Sequence, residues 1–462
     1  MQRVDARIVV GIILAAGFLG TRLYRNQNES GQKKVLQYPR RLEAARWGGG
    51  PAFAHAVSLG RRPIILRGGT DVDSWPAFRK WTDDYLSSVA LGGVVRDFYE
   101  QHTSGVFGPF FDPSRPMSAL DSVQPRHNYT TSATIEASHF LRLTRRGQNH
   151  EKKRGQKSRI LRNHVYLTTG LDAFSPILES DVSPLNELLV LNPQQTSVNL
   201  WVGSNNVTAP CHYDGYHNFY VQISGTKRFI LASPRARSWL RPFPFLHPSH
   251  AQCQKRLGTF TLADNDVLSS KDEFYEAVLE PGDILYLPPL WFHEVTSLSR
   301  SISVNAWTPP RREIEVVEAL FALPVPWEEK GTSQESKPRR LAQIFSRLFG
   351  NATICDAEAA FVEDLYAERY AELVEIGELD IGAEVSCVSN SNPGGELERS
   401  VASFTKRAKE LVQLLPQDTK RTWLFNFAEA LVFASVNAQS ELVASLIHKL
   451  PSCLRELASL EE

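Results

Sequence analysis

The strongest limit on the fold comes from a series of short apolar segments between residues 165 and 307, separated by Gly and Pro. Each segment has the length of a strand and is too short for an ordinary helix. Gly225, Pro234 and the Pro281-Gly282 pair lie between them and favour tight turns. The pattern therefore predicts an all-β sandwich or barrel, with strands at 198–202, 218–223, 227–231, 283–287 and 301–307.

Helical patterns flank these predicted strands. On the N-terminal side, a predicted strand at 62–67 is followed by apolar residues at helical spacing between Trp75 and Leu86. After Pro310 the spacing is helical again, and it predicts helices at 314–323, 341–349, 357–376 and 419–450. We therefore expect a mainly β core with helical N-terminal elements and an α-helical C-terminal region, which could pack on the core or form a homodimer.

The composition is that of a folded protein without an overall charge. The 462 residues are 42% hydrophobic, which is enough for two or three domains with a sizeable core. The 51 basic residues balance 51 acidic residues, so no global field attracts nucleic acid. The five cysteines form no CxxC pair, which gives a zinc ribbon or a thioredoxin motif no support, and the sequence leaves their disulfide pairing open.

Residues 1–25 have the pattern of a signal peptide or signal anchor. Arg3 and Arg7 precede the stretch 8–20, which contains no polar side chain. As a helix this stretch would rise about 20 Å, which is less than the roughly 30 Å of a bilayer's hydrocarbon core. We expect a protein of the secretory pathway, in the ER or Golgi lumen, with or without a single membrane anchor. A buried helix or strand, a mitochondrial presequence and a cytoplasmic or nuclear location stay open.

A basic segment spans residues 142–162, in which Glu151 is the one acidic residue. One interpretation is a site for an anionic partner such as nucleic acid or acidic lipid. The interpretation that we favour is a solvated insertion, because no aromatic side chains are interleaved to stack on bases.

The chemistry is concentrated in a His-x-Asp pattern at His212 and Asp214. In a strand, residues two apart project from the same face, so the imidazole and the carboxylate would point the same way. The pattern becomes specific when a second histidine joins it. His293 follows a Pro-Gly turn, a predicted strand and a Pro-Pro break, an arrangement that could return it to the first strand across a barrel. Two histidines and one carboxylate form a facial triad, which leaves coordination positions open on a non-haem ferrous ion.

These residues carry a family resemblance. His212-x-Asp214, Asn218, the Gly-Thr-Lys-Arg-Phe run that contains Lys227, and the segment ending at His293 resemble the cupin-like JmjC oxygenases. The likeness to the asparaginyl-hydroxylase branch is close around 212–231. The resemblance covers residues 60–310 and implies a double-stranded β-helix, or jelly roll, with Fe(II) as cofactor and 2-oxoglutarate and O₂ as co-substrates. Together with the composition and the helical spacing, it sets the predicted domains: 1–25 signal peptide or signal anchor, 26–60 linker or stem, 61–310 oxygenase domain and 311–462 helical region.

The resemblance implies roles for four further residues. Lys227 stands where the family places the lysine that pairs with the distal carboxylate of 2-oxoglutarate, and a carboxylate in a dry barrel needs such a cation. Asn218 and Asn305 are candidates for polar contacts with the same molecule. Tyr166 is a candidate donor to its distal carboxylate, or else a core tyrosine.

One position departs from the family pattern. Relatives commonly place Thr or Ser three residues before the first iron histidine, where its hydroxyl touches 2-oxoglutarate. Ala209 stands there in this chain, and Thr208 comes one residue earlier. A β-bulge between Thr208 and His212 would restore the contact, and without one it is missing.

The resemblance implies a dioxygenase that hydroxylates a protein or peptide side chain. The alternatives are an N-methyl demethylase acting on lysine or arginine, an RNA-modifying oxygenase, and a non-catalytic cupin that serves as a scaffold. The complete set of three metal ligands argues against the scaffold.

Overall fold

The fold is given by a computed structural model, in which the chain divides into two compact units. Of the described residues, those within 39–101, 130–233 and 256–310 belong to the first unit, and those within 234–255 and 311–435 belong to the second. The described residues are 39–46, 48–68, 74–101, 130–131, 134–146, 164–183, 185, 196–240, 242, 251–253, 255–259, 273–326, 341, 343–344, 347–348 and 396–435.

The first unit is mainly β. Its strands are β1 (Arg40–Arg41), β2 (Ala44–Arg46), β3 (Ile64–Arg67), β4 (Val94–Val95), β5 (Phe98–Gln101), β6 (Thr130–Thr131), β7 (Ile135–Glu136), β8 (His164–Gly170), β9 (Ser197–Gly203), β10 (Thr208–Tyr213), β11 (His217–Ser224), β12 (Lys227–Ala232), β13 (Phe274–Leu279), β14 (Ile284–Leu287), β15 (Phe292–Ser297) and β16 (Ser301–Thr308). Its helices are α1 (Gly50–Leu59), α2 (Pro76–Lys80), α3 (Asp83–Val89), α4 (Ala137–Arg146), α5 (Leu171–Phe174) and α6 (Leu178–Asp181).

The strands from β9 to β16 form a jelly roll of two sheets. The larger sheet has the order β2-β3-β14-β11-β16-β9-β8-β5-β6, and the smaller one has the order β1-β13-β12-β15-β10. All pairings among the eight strands from β9 to β16 are antiparallel. The expected cupin-like β core is therefore confirmed, and each strand predicted between residues 198 and 307 is present.

The larger sheet separates two apolar clusters because side chains alternate along its strands. In β11, Phe219 and Val221 belong to the cluster that includes residues of α1 and α4. Tyr220 belongs to the other cluster, together with Phe229 and Leu231 of β12. The face that carries Tyr220 therefore lines the interior between the two sheets, and the functional side chains lie on this interior face.

The helix predicted at 75–86 is interrupted. It consists of α2 and α3, and Trp81 between them has a non-helical ψ of 61°. The hydroxyl of Thr82 accepts a hydrogen bond from the backbone N–H of Tyr85 and so caps the start of α3. Trp81 and Tyr85 both donate to the buried carboxylate of Asp181, so the break between the two helices is tied to α6.

The N-terminal boundary differs from the predicted linker at 26–60. β1 pairs with β13, β2 pairs with β3, and α1 also lies within that range, so its second half belongs to the first unit. The signal segment at 1–25 lies outside the described residues. Among the residues that the structure does describe, no helix is long and apolar enough to cross a membrane.

The second unit contains the C-terminal helices. They are α7 (Arg237–Leu240), α8 (Arg311–Phe321), α9 (Glu396–Gln413) and α10 (Lys420–Ser435). The ring of Phe427 in α10 contacts Phe321 of α8 and Phe404 of α9, with centroids 5.5 and 6.2 Å apart. The helix predicted at 314–323 is present as α8, and the one predicted at 419–450 is present over Lys420–Ser435, while 436–450 lie outside the described residues. The helix α9 was not predicted. The helix predicted at 357–376 lies outside the described residues, and the homodimer stays a prediction.

The cysteines that can be described are both oxidised. Cys211 and Cys253 are each disulfide-bonded. Cys355, Cys387 and Cys453 lie outside the described residues.

Candidate metal centre and active site

The two histidines of the predicted triad lie opposite each other on neighbouring strands. His212 of β10 pairs with His293 of β15, and their ring centroids are 4.2 Å apart. The register shifts between Ala209 and His212, because Pro210 and Cys211 together face only Glu294. This is a β-bulge, which adds one residue to β10 and re-aims the side chains that follow it.

Asp214 completes the group just after the end of β10. Its backbone carbonyl accepts a hydrogen bond of 2.7 Å from the N–H of Leu290, which ties it to the turn before β15. Leu290 has a φ of 65°, which is rare for a leucine and shows how tightly this turn is held. One ligand atom from each of His212, Asp214 and His293 can be chosen so that all lie within 4.8 Å of one another.

The hydrogen bonds of the two imidazoles involve Nδ1 and leave Nε2 of each ring available to a metal. Nδ1 of His212 lies 2.7 Å from the carbonyl oxygen of Pro210, and Nδ1 of His293 lies 3.0 Å from that of Trp291. A neutral imidazole that donates through Nδ1 keeps Nε2 as a ligand. Nε2 of His293 is 3.5 Å from Oδ2 of Asp214. The three side chains therefore fit one divalent cation.

The electrostatics of the site also suit a metal. Burial, together with the charge of His293, lowers the pKa of His212 to about 4, so its imidazole is neutral at physiological pH. Burial by itself raises the pKa of Asp214, but its hydrogen bond to His293 and the charges of both histidines lower this pKa below its ordinary value. Two imidazoles and one carboxylate form a set that binds ferrous iron.

Lys227 lies on the interior face of the same small sheet. It pairs with Ser297 of β15, four residues beyond His293, so both side chains project from one face. The lysine side chain is 1% exposed, and its Nζ donates a 2.6 Å hydrogen bond to the hydroxyl of Tyr220. In the described part of the chain no carboxylate pairs with it, and burial lowers its pKa to about 7.

Polar side chains line the facing wall of the interior. Asn218 and Asn305 are both buried, and Nδ2 of Asn305 donates to Oδ1 of Asn218 over 3.0 Å. The indole N–H of Trp201 donates to Oδ1 of Asn305 over 2.7 Å. The ring of Tyr166 lies 5.5 Å from Nζ of Lys227, and burial holds the pKa of Tyr166 well above its ordinary value. Of the predicted co-substrate residues, Lys227, Asn218, Asn305 and Tyr166 thus share this interior.

Thr208 is not brought to the site. It pairs with Thr296 of β15, and the two hydroxyls are 3.0 Å apart. The neighbouring Val295 packs into the interior cluster, so Thr208 and Thr296 project from the opposite face. The bulge that we considered does exist, but it follows Ala209, and Ala209 therefore keeps the interior position where relatives have a hydroxyl.

The sequence analysis missed two interior residues, Tyr220 and Trp201. Tyr220 lies two residues after Asn218 and so projects from the same face. Trp201 of β9 pairs with Ser303 of β16, which is two residues before Asn305. Trp201 and Asn305 therefore project from the same face of the larger sheet. Extending the two-residue period of β11 from Asn218 would have identified Tyr220, whereas Trp201 reaches the site because β9 lies beside β16.

A jelly roll with two histidines and one carboxylate facing its interior is a cupin-type fold with a candidate metal site. The family model described as "Cupin-like domain" matches residues 51–311. Because this match covers more than half of the 462 residues, the chain belongs to the cupin-like family, and the resemblance to its JmjC members is confirmed.

Three relatives illustrate the range of this family. The human bifunctional peptidase and (3S)-lysyl hydroxylase JMJD7 is 29% identical over 53% of this chain and 77% of its own length. The Arabidopsis thaliana lysine-specific demethylase JMJ31 is 26% identical over 55% of this chain and 47% of its own length. The chicken (Gallus gallus) tRNA wybutosine-synthesizing protein 5 is 25% identical over 55% of this chain and 73% of its own length. The chain spans only about half the length of several matched relatives.

Proposed function

We propose that the protein is an Fe(II)- and 2-oxoglutarate-dependent dioxygenase that hydroxylates a side chain of a protein or peptide. The observation that carries the proposal is the buried cation of Lys227, which has no carboxylate partner among the described residues and lies inside the same β core as the metal triad. A buried ammonium group without an anion is costly, and a carboxylate ligand would offset that cost. 2-Oxoglutarate supplies such a carboxylate at one end and a metal-chelating keto acid at the other.

Each residue of the site has a separate task in this proposal. His212, Asp214 and His293 would hold the iron on one face and leave its remaining positions open. Lys227 would bind the distal carboxylate, and Tyr220 would hold the ammonium group in place. The chemistry that bound iron supplies is the insertion of one oxygen atom of O₂ into a C–H bond, while 2-oxoglutarate is converted into succinate and CO₂.

The walls of the core contribute by excluding water. Leu231 and Phe229 of β12 and Leu287 of β14 are almost completely buried in the interior cluster. Such apolar walls limit side reactions of the oxidising chemistry and strengthen the interaction between Lys227 and a carboxylate.

The first test is the conversion of 2-oxoglutarate into succinate by the purified protein with Fe(II) and O₂. We expect turnover in the wild type, loss of it in His212→Ala, and loss of 2-oxoglutarate binding in Lys227→Met. Arg228→Met is the matched control, because Arg228 is the next residue of β12 and pairs with Glu276 on the other face. If the wild type binds neither Fe(II) nor 2-oxoglutarate, the non-catalytic scaffold is the better description.

The relatives' names define the competing substrates. Hydroxylation of a side chain, demethylation of lysine or arginine, and modification of an RNA base use the same oxidising chemistry, but they give different products. A peptide hydroxylase adds one oxygen atom to its substrate, a demethylase releases formaldehyde, and an RNA-modifying enzyme alters a nucleoside. Under the proposal, a protein or peptide substrate should stimulate succinate formation and tRNA should not. The peptide should gain one oxygen atom.

The compartment and the oligomeric state belong to the same proposal. The apolar stretch 8–20 supports entry into the secretory pathway, with the leader cleaved or kept as an anchor. Because the sequence contains N-x-S/T triplets at Asn28, Asn128 and Asn351, sensitivity of the expressed protein to an N-glycosidase is the expected result. A protein that gains no glycan and stays in the cytosol would contradict it. A homodimer through the C-terminal helices can be checked by light scattering.

A further inference from the structure

Three polar side chains form a chain of hydrogen bonds on the interior wall. The indole N–H of Trp201 donates to Oδ1 of Asn305 over 2.7 Å, and Nδ2 of Asn305 donates to Oδ1 of Asn218 over 3.0 Å. Asn199 adds a longer bond of 3.3 Å to the same oxygen of Asn305. These residues belong to β9, β16 and β11, which are adjacent strands of the larger sheet.

The indole ring fixes the direction of the whole chain. Its N–H group can only donate, so the atom of Asn305 that faces it must be the carbonyl oxygen. The other end of that amide is then an NH₂ group, which requires the carbonyl oxygen of Asn218 as its acceptor. Oδ1 of Asn218 is used in this bond, so its NH₂ group is available to a ligand. Within the described residues, this side chain makes no other hydrogen bond.

We propose that Trp201 is a positioning residue, which orients the amides of Asn305 and Asn218 so that Asn218 presents an NH₂ group to a carboxylate in the cavity. The inference rests on the proposed function, because the carboxylate is that of 2-oxoglutarate. Without the indole donor, both amides can turn over, because Asn199 can face Asn305 with either its NH₂ group or its carbonyl oxygen. Asn218 would then present its carbonyl oxygen to the negative charge. Trp201 therefore contributes to the affinity for the co-substrate through two intervening side chains.

The test is the dissociation constant of 2-oxoglutarate, measured by calorimetry on the full-length protein loaded with Mn(II) in place of iron. Trp201→Phe keeps an aromatic ring but removes the donor, and we expect binding about tenfold weaker, the usual worth of a hydrogen bond to a charged group. Trp201→His keeps an N–H donor in a five-membered ring at the position of the indole nitrogen. We expect the Trp201→His variant to bind 2-oxoglutarate more tightly than the Trp201→Phe variant.

This order of affinities separates orientation from packing. If Trp201 acted only by filling space, phenylalanine would replace it better than histidine, and that result would overturn the inference. Equal binding by the wild type and Trp201→Phe would overturn it as well. Trp75→Phe is the control, because the indole N–H of Trp75 has no acceptor among the described residues and its ring packs in the outer cluster. Its affinity for 2-oxoglutarate should equal that of the wild type.

Steady-state kinetics give a second readout. A positioning role predicts that Trp201→Phe raises the KM for 2-oxoglutarate about tenfold and changes kcat much less, with unaltered affinity for Mn(II). A general loss of structure would instead lower kcat and Mn(II) affinity together. If the wild type binds no 2-oxoglutarate, the proposed function fails first, and this inference falls with it.

Discussion

The ammonium group of Lys227 donates a 2.6 Å hydrogen bond to the hydroxyl of Tyr220, and both side chains are buried between the two sheets of the jelly roll. The phenol holds the lysine in position without neutralising it. Burial also keeps the pKa of Tyr220 above its ordinary value, so the phenol stays uncharged. A carboxylate that enters the cavity therefore meets a fixed donor that lacks a counter-charge within the described residues.

The first prediction concerns the pH dependence of 2-oxoglutarate binding. Because burial lowers the pKa of Lys227 to about 7, the lysine is charged below pH 7 and increasingly neutral above it. Only the charged form attracts a carboxylate, and the bound carboxylate raises the pKa again. We expect the dissociation constant to be constant below about pH 6 and to rise about tenfold per pH unit above about pH 8.

Calorimetry in buffers of different ionisation enthalpy checks the same mechanism. Binding should take up about one proton at about pH 8.5 and almost none at about pH 6, because Lys227 is already protonated there. In Lys227→Met, the residual binding should lose this proton uptake. A dissociation constant that stays flat between these two pH values would contradict the prediction.

The second prediction concerns removal of the metal. The three ligands come from two strands and the turn after β10, so a bound cation cross-links them and stabilises the folded state by mass action. Mn(II) should raise the melting temperature of the wild type, and EDTA should reverse the rise. In His212→Ala and His293→Ala the metal should cause no shift. Substitution of His217, whose Nδ1 bonds to the hydroxyl of Tyr286 and which lies outside the triad, should leave the metal shift intact.

The third prediction concerns the turn between β11 and β12. Gly225 has a φ of 72°, and a Cβ atom there would lie only 1.9 Å from the carbonyl oxygen of Arg300. Gly225→Ala should therefore lower the free energy of unfolding by about 2 kcal/mol or more. Because Lys227 lies two residues further on, the affinity for 2-oxoglutarate should fall too, whereas the metal shift should persist.

Gly215→Ala is the control for stability. Gly215 has no positive φ, and a Cβ atom there would have open space around it. Urea unfolding of the two variants measures the difference. If Gly225→Ala proves as stable as Gly215→Ala, the turn is less restricted than its geometry indicates.

The sequence predicted the cluster of His212, Asp214 and His293 because its chemistry is local. His212 and Asp214 are two residues apart in a strand, and His293 follows a Pro-Gly turn, so the residue types and spacing carried the information. The double-stranded β-helix came from the family resemblance, since short strands alone define neither partners nor register. Thr208 shows the limit: a bulge was foreseen, but the pairing with Thr296 decides which face its hydroxyl takes.

Contacts between distant strands explain what was missed. Trp201 and Asn305 are 104 residues apart, and their hydrogen bond depends on β9 and β16 being neighbours. The linker prediction failed at its C-terminal half for a similar reason. β1 and β2 are only two and three residues long, and they exist because β13 and β3 offer free edges.

The last prediction concerns the ion pair that joins β3 to the turn before β14. Both oxygens of Asp283 accept from the guanidinium of Arg67, over 2.8 and 2.9 Å, and one of them also accepts from the backbone N–H of Glu280. The hydrogen bond to Asp283 raises the pKa of Arg67 further, although burial opposes this shift. Because Arg67 is 42% exposed, solvent screens the charge interaction, and the fixed geometry matters more.

Asp283→Ala should therefore lower the free energy of unfolding by about 1–3 kcal/mol, chiefly through the lost hydrogen bonds that close the Pro-Gly turn. Asp283→Asn keeps an acceptor for Glu280 and should cost less. The matched control is Arg407→Ala, which removes the exposed pair with Glu410 and should change stability by less than about 0.5 kcal/mol. Urea unfolding followed by tryptophan fluorescence gives all three values. If Asp283→Ala costs no more than Arg407→Ala, the turn folds without this pair.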